Sequence, residues 1–137
     1  MNLNKPISEI MTADVISVAP TQKLVDIKHL FETKHFHYNI PVTENGQLVG
    51  VIVLTDLLYA IKNASEKSEG SGYESMLVRE IMRELPVVKS PSTTIKDLSE
   101  EFSHGETHAI MVVEKGTLLG IVSSADVISH FLAMNKG

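Results

Sequence analysis

The chain of 137 residues has no cysteine, so disulfide staples and thiolate zinc sites are excluded. No apolar run approaches the ~20 residues of a membrane span, and the opening MNLNKPISEIM lacks the apolar stretch of a secretory leader. The expectation is therefore a cytoplasmic protein with no membrane span. An excess of positive charge is missing as well. The formal charge of -5 and a pI of about 5.6 remove the attraction that supplies most non-specific affinity for nucleic acid, and no nucleic-acid partner is expected. The composition is 43% apolar and 21% charged, an ordinary globular balance. A chain of this length buries roughly two-thirds of its unfolded surface, so a real core is possible.

The sequence repeats itself. ISEIM at Ile7 to Met11 matches VREIM at Val78 to Met82, and Pro20 matches Pro91 at the same offset. IPVTENGQLVGVIVLTDLL from Ile40 matches IMVVEKGTLLGIVSSADVI from Ile110, one residue shorter in spacing. Each copy parses by period into a short helix, a short extended piece (VISV or PVVK), a helix, two apolar strands and a final helix. Helices are expected over Gln22 to about Lys34, Thr93 to about His104, Thr55 to Lys62 and Ala125 to Met134. Pro6 suits a first helical turn, and Asn45-Gly46 is a strong two-residue hairpin signal because both residues tolerate positive φ.

Residues 63–75, NASEKSEGSGYES, are rich in Ser, Gly and Glu and read as a flexible linker between a first repeat, 1–62, and a second, 76–137. Each repeat alone is of a size at which burial is marginal, and the strands VGVIV and LLGIV look covered on both faces. The expected fold class is α/β (α+β), two β-α-β-β-α repeats packed sheet to sheet with pseudo-twofold symmetry.

In order and duplication, the EIM openings, IPV with its counterpart IMVV, and the glycine-led strands ending in Asp56 or Asp126 resemble the tandem CBS domain pair, or Bateman module, over Ile7 to Phe131. The resemblance implies a non-enzymatic regulatory module that binds an adenosine-containing ligand such as AMP, ADP or ATP in a cleft between repeats. It also implies an effector protein, unidentified by the sequence, and a homodimer formed through the final helix of each repeat.

The resemblance extends to a nucleotide motif, Gly-x-x-Ser/Thr-x-x-Asp, at Gly120, Ser123 and Asp126. A carboxylate can accept from both hydroxyls of a ribose with charge-assisted strength, which suits Asp126. Ser123 and the amides of a helix start favour a phosphate. Resemblance to the gamma subunit of AMP-activated kinase in this stretch implies that His108 reaches the phosphate. It further implies that Ala13, with Thr12 and Asp14, and then His37 and Tyr38, flank the base. The last two stand where small or aliphatic residues are usual, so they would either stack on a purine or block it. The matching site around Asp56 is degenerate, since Val53 replaces the serine and Glu84 replaces Ala13.

Other readings of the same residues stay open at this level. A serine followed three residues later by an acid is also a helix-capping signature needing no ligand. His35 with His37, or His104 with His108, could chelate a metal, but no acidic or cysteine ligand lies at a recognised spacing and Gly105 interrupts the second pair, so no metal is expected. Ser123, His108 and Asp126 can be written as a hydrolase triad, but Gly-x-Ser-x-Gly is absent. Met11, Met82, Phe31 and Phe102 read as core fillers. A vestigial pocket in a ligand-free interaction or oligomerisation scaffold is the rival to the sensor.

Overall fold

A computed structural model of the protein describes residues 2–33, 39–67, 72–84 and 87–134. The chain divides into two compact units, residues 16–86 and residues 1–15 together with 87–137.

In the unit 16–86, helix α1 (Leu24–Thr33) precedes a hairpin of strands β1 (Asn39–Glu44) and β2 (Gln47–Val53), and helix α2 (Leu54–Lys67) follows at once. The apolar three-residue spacing of α1 puts Leu24 and Ile27 into a core with Ile40, Val42, Ile52, Leu57 and Val78. At the hairpin tip Asn45 and Gly46 both take positive φ, 54° and 81°, the turn whose twist matches its strands. The pairing runs from Asn39 opposite Val53 to Glu44 opposite Gln47, with a bulge at Val42/Thr43. VISV forms no strand of its own: Val18 makes an isolated parallel bridge to Val42. Helix α2 continues through Lys67, five residues into the stretch read as linker, because no glycine or proline interrupts the chain before Gly70.

The other unit repeats the plan. Strand β3 (Val88–Lys89) lies parallel to β4 (Ala109–Glu114), which pairs antiparallel with β5 (Thr117–Ser123); helix α3 (Ile95–Ser103) precedes β4 and helix α4 (Ser124–Met134) follows β5. Thr94 caps α3, its Oγ1 accepting from the Asp97 amide at 3.1 Å. The bulge recurs at Val112/Val113, and the tip again uses two positive φ angles, with Lys115 at 51° in the place of Asn45. Ile95, Leu98, Ile110, Val112, Val122 and Val127 form the core, with Met11 and Phe102 packed against it.

Each unit is completed by the opening segment of the other sequence copy. The opening helices are single 3-10 turns, Ile7–Glu9 and Val78–Glu80. Ile7 is fully buried among the residues of α3, β4, β5 and α4, and its amide donates to the Thr93 carbonyl at 2.8 Å. The Ile95 amide in turn donates to Lys5. Val78 is placed equivalently in the unit 16–86, donating to the Gln22 carbonyl at 2.8 Å, while the Leu24 amide donates to Met76. The family-like repeat and the compact unit are thus different divisions of one chain. The physical reason is that a half of about 60 residues leaves its sheet short of cover, and a crossing segment supplies apolar area. Among the described residues no helix is long and apolar enough to cross a membrane.

Candidate functional site

Strand β5 ends where α4 begins, and the two sequence-assigned residues there bond to each other. The Ser123 amide donates to Oδ2 of Asp126 at 2.8 Å, and the Asp126 amide donates to Oγ of Ser123 at 3.1 Å. This reciprocal arrangement is the capping box that the spacing also allowed. Ser123 is 2% exposed, the one buried polar side chain among the described residues, and Asp126 is half-buried. The cap does not use up either group. A carboxylate offers about four lone-pair positions, and a hydroxyl that accepts one hydrogen bond still has its own hydrogen to donate. Oδ1 of Asp126 has no hydrogen-bond partner among the described residues. Capping and ligand binding are therefore compatible, and the cap aims the carboxylate.

The free amides expected at this helix start are fewer than the sequence suggested. The Asp126 amide is taken by Ser123, and the Ser124 amide donates to the His108 carbonyl at 2.9 Å. That second bond places His108, whose side chain is exposed, beside the first turn of α4. The opening segment arrives from the other side of β5. Thr12 and Ile121 exchange backbone hydrogen bonds of 2.8 and 3.0 Å, so Thr12, Ala13 and Asp14 run outward, exposed, from a point two residues before Ser123. Gly120 makes this approach possible: a Cβ there would lie 2.6 Å from the Thr12 carbonyl oxygen and 2.8 Å from the Met11 sulfur. One unit thereby brings together Thr12, Ala13, Asp14, His108, Ser123 and Asp126. His37 and Tyr38, like His35, lie outside the described residues.

The counterpart in the unit 16–86 is wired differently. Val53 has no hydroxyl with which to cap, and Asp56 instead receives Arg83, whose Nε and Nη2 donate to Oδ2 at 2.7 Å and Oδ1 at 3.1 Å. Arg83 stands where the other copy has Thr12, and its backbone exchanges two 2.9 Å hydrogen bonds with Val51. Gly50 again admits the segment, since a Cβ would lie 2.7 Å from the Arg83 carbonyl oxygen. Both oxygens by which Asp56 was expected to hold a ribose are thus engaged. Sequence reasoning named Val53 and Glu84 here and missed Arg83, although EIMRE set against EIMTA contains the signal: a cation where the other copy has a threonine.

Hydrogen bonds from Arg83 hold the Asp56 carboxyl below its ordinary range; partial burial opposes this and the charge attraction adds to it. A carboxyl depressed by folding contributes stability that is complete above its unfolded pKa and is lost as pH falls through the folded one. The small advantage of the wild type over Arg83→Gln in urea melts is therefore expected to be constant near neutrality and to vanish in acid. An advantage that grows on acidification would contradict the pairing. Since the pair is exposed to solvent, salt should weaken it as well.

Among the described residues no three His, Asp or Glu side chains gather as a metal site requires. No hydrogen bond joins Ser123 to the His108 ring, and the Ser123 oxygen is an acceptor in the cap. A pocket of about 250 Å³ in the same unit is lined by Val87, Glu101, His104, Glu106 and Thr107, none of them assigned to the nucleotide, and its two acids would repel a phosphate.

A family model described as the CBS domain matches twice, at residues 7–63 and 78–133. A zinc metalloprotease of Methanocaldococcus jannaschii is 34% identical over 120 residues, 88% of this chain and 30% of its own length. The chain spans less than half the length of the curated relatives it matches first. Among solved structures, CBSX2 in complex with AMP superposes with a TM-score of 0.78 at 26% identity, covering 96% of this chain and 98% of that one. The CBS domain of a bacterial magnesium transporter of the CNNM/CorC family, in complex with ATP, has a TM-score of 0.74 over 95% of this chain and 89% of its own, at 24% identity, a likeness of fold alone.

Proposed function

This chain belongs to the CBS domain family as a tandem pair, and from that premise we propose that it is a regulatory module without catalysis of its own, which binds an adenine nucleotide at the Ser123–Asp126 face and conveys its occupancy to a partner protein. The observation that carries the reading is the reciprocal cap, which orients Asp126 while leaving Oδ1 and the Ser123 hydroxyl hydrogen available. Oδ1 accepts from the ribose hydroxyls, the Ser123 hydroxyl and the exposed His108 ring face the phosphate, and Thr12, Ala13 and Asp14 flank the base. The AMP bound by CBSX2 supports an adenine ligand by likeness. Occupancy shifts the partner only so far as the nucleotide binds one state of the module better than another.

Thermal melts with AMP, ADP, ATP, S-adenosylmethionine and cyclic di-AMP test this. A ligand at a hundred times its dissociation constant adds about 2.7 kcal/mol of stability. A flat response to all five would leave the scaffold reading.

Helices α2 and α4 each expose apolar side chains, Leu58 and Tyr59 on the first and Ile128 and Leu132 on the second, all more than half accessible. Patches of this kind mark interaction surfaces, and the proposed occupant is a second copy of the chain. Sedimentation velocity is expected to report a dimer that Leu58→Glu with Leu132→Glu converts to monomer; a wild-type chain sedimenting as monomer would exclude it.

A further inference from the structure

We propose that Arg83 acts as a built-in plug, holding both oxygens of Asp56 so that the second ribose position stays closed and the chain takes a single nucleotide. This rests on the reading of Asp126 as the ribose acceptor. The two acids occupy matching places in the repeats, each in the first turn of the helix after a glycine-led strand. Besides Glu84 in place of Ala13, their surroundings differ at two residues that bear on the carboxylate itself. Where Ser123 caps α4 and engages one carboxylate oxygen, Val53 offers no hydroxyl. Where Thr12 crosses β5, Arg83 crosses β2 and reaches Asp56 with a two-pronged guanidinium contact of 2.7 and 3.1 Å.

The competition favours the plug. Displacing it exchanges two charge-assisted bonds between full charges for two bonds from neutral hydroxyls, so a diol gains little on arrival. Its backbone is pinned to one edge of β2 by the two Val51 hydrogen bonds, so the guanidinium is tethered next to its acceptor. A short tether corresponds to a local concentration on the order of millimolar, which a dilute metabolite does not match. The pair adds little to stability, because Arg83 is 62% and Asp56 31% exposed, yet it is well placed to decide which groups Asp56 can accept. Arg83 is on this view a specificity-determining residue, and the pair of exchanges Arg83 for Thr12 and Val53 for Ser123 sets the stoichiometry.

Calorimetric titration of AMP, ADP and ATP into four proteins tests it: wild type, Arg83→Gln, Val53→Ser/Arg83→Thr, and the last combined with Asp126→Ala. The expected stoichiometries are one for the wild type, two for the double variant and one for the triple variant. A wild type that already binds two, or a folded double variant that gains no site, overturns the plug. Should the wild type bind none of the three, the nucleotide reading of Asp126 falls separately, and the plug is then judged by whether binding emerges in the double variant. If the double variant is unfolded by circular dichroism, Arg83→Gln decides. Its Asp56 carboxyl, followed by carbon NMR, is expected to titrate higher than in the wild type, and its nucleotide count is expected to rise. An unchanged titration and count would overturn the proposal.

Discussion

Gly120→Ala is expected to lower the melting temperature by roughly 3–10 °C and to abolish nucleotide binding at the same time. The added methyl would stand 2.6 Å from the Thr12 carbonyl oxygen and 2.8 Å from the Met11 sulfur. The sulfur ends a flexible side chain and can move aside. The carbonyl cannot move alone, because the Thr12 peptide is held against β5 through both hydrogen bonds to Ile121. Overpacking of this kind costs typically 1–3 kcal/mol, which for a chain of this size gives a shift of that order. Relief comes only if residues 11–14 lift off the strand, carrying Thr12, Ala13 and Asp14 away from Asp126. Gly50→Ala is the matched control. It meets the Arg83 carbonyl oxygen at 2.7 Å in the unit 16–86, so it should destabilise comparably while leaving the Asp126 face with its affinity. Equal loss of binding in both variants would mean that stability, not placement of the opening segment, governs the site.

The second large effect separates the cap from the ligand. Asp126→Ala removes the acceptor for the Ser123 amide as well as the ribose acceptor, so it should cost about 1 kcal/mol of stability and cancel the ~2.7 kcal/mol gained on nucleotide saturation. Asp126→Asn keeps a side-chain oxygen for the amide but loses the charge. Its ligand-free melting point should lie close to that of the wild type. Its affinity should nevertheless fall about tenfold to a hundredfold, the worth of a hydrogen bond to a charged group. A nucleotide shift that survives Asp126→Ala undiminished would assign the acid to capping alone and move the ligand elsewhere.

The repeat, the apolar faces of α1 and α3 and the Asn45-Gly46 turn were all legible before any coordinates, since each depends on spacings or dihedral preferences within a few residues. Helix α2 was misjudged in length for the same local reason: serine and glutamate suggest a linker, but nothing before Gly70 obliges a helix to stop. At Ser123 and Asp126 two meanings of one spacing were visible and neither could be chosen. The structure makes the cap real and leaves the carboxylate with capacity to spare, so the alternatives turn out not to compete.

By itself, then, the order of residues determined the duplicated plan, the positions of turns and helices, and the pair of acids at equivalent strand ends, because these follow from neighbours along the chain. Only the tertiary structure decided which segment completes which unit, and that Asp56 is taken by an arginine 27 residues away while Asp126 is held by a serine three residues back. A polar group satisfies itself with whatever donor the fold brings within about 3 Å, and that depends on backbone paths meeting across β2 and β5, which no local spacing records.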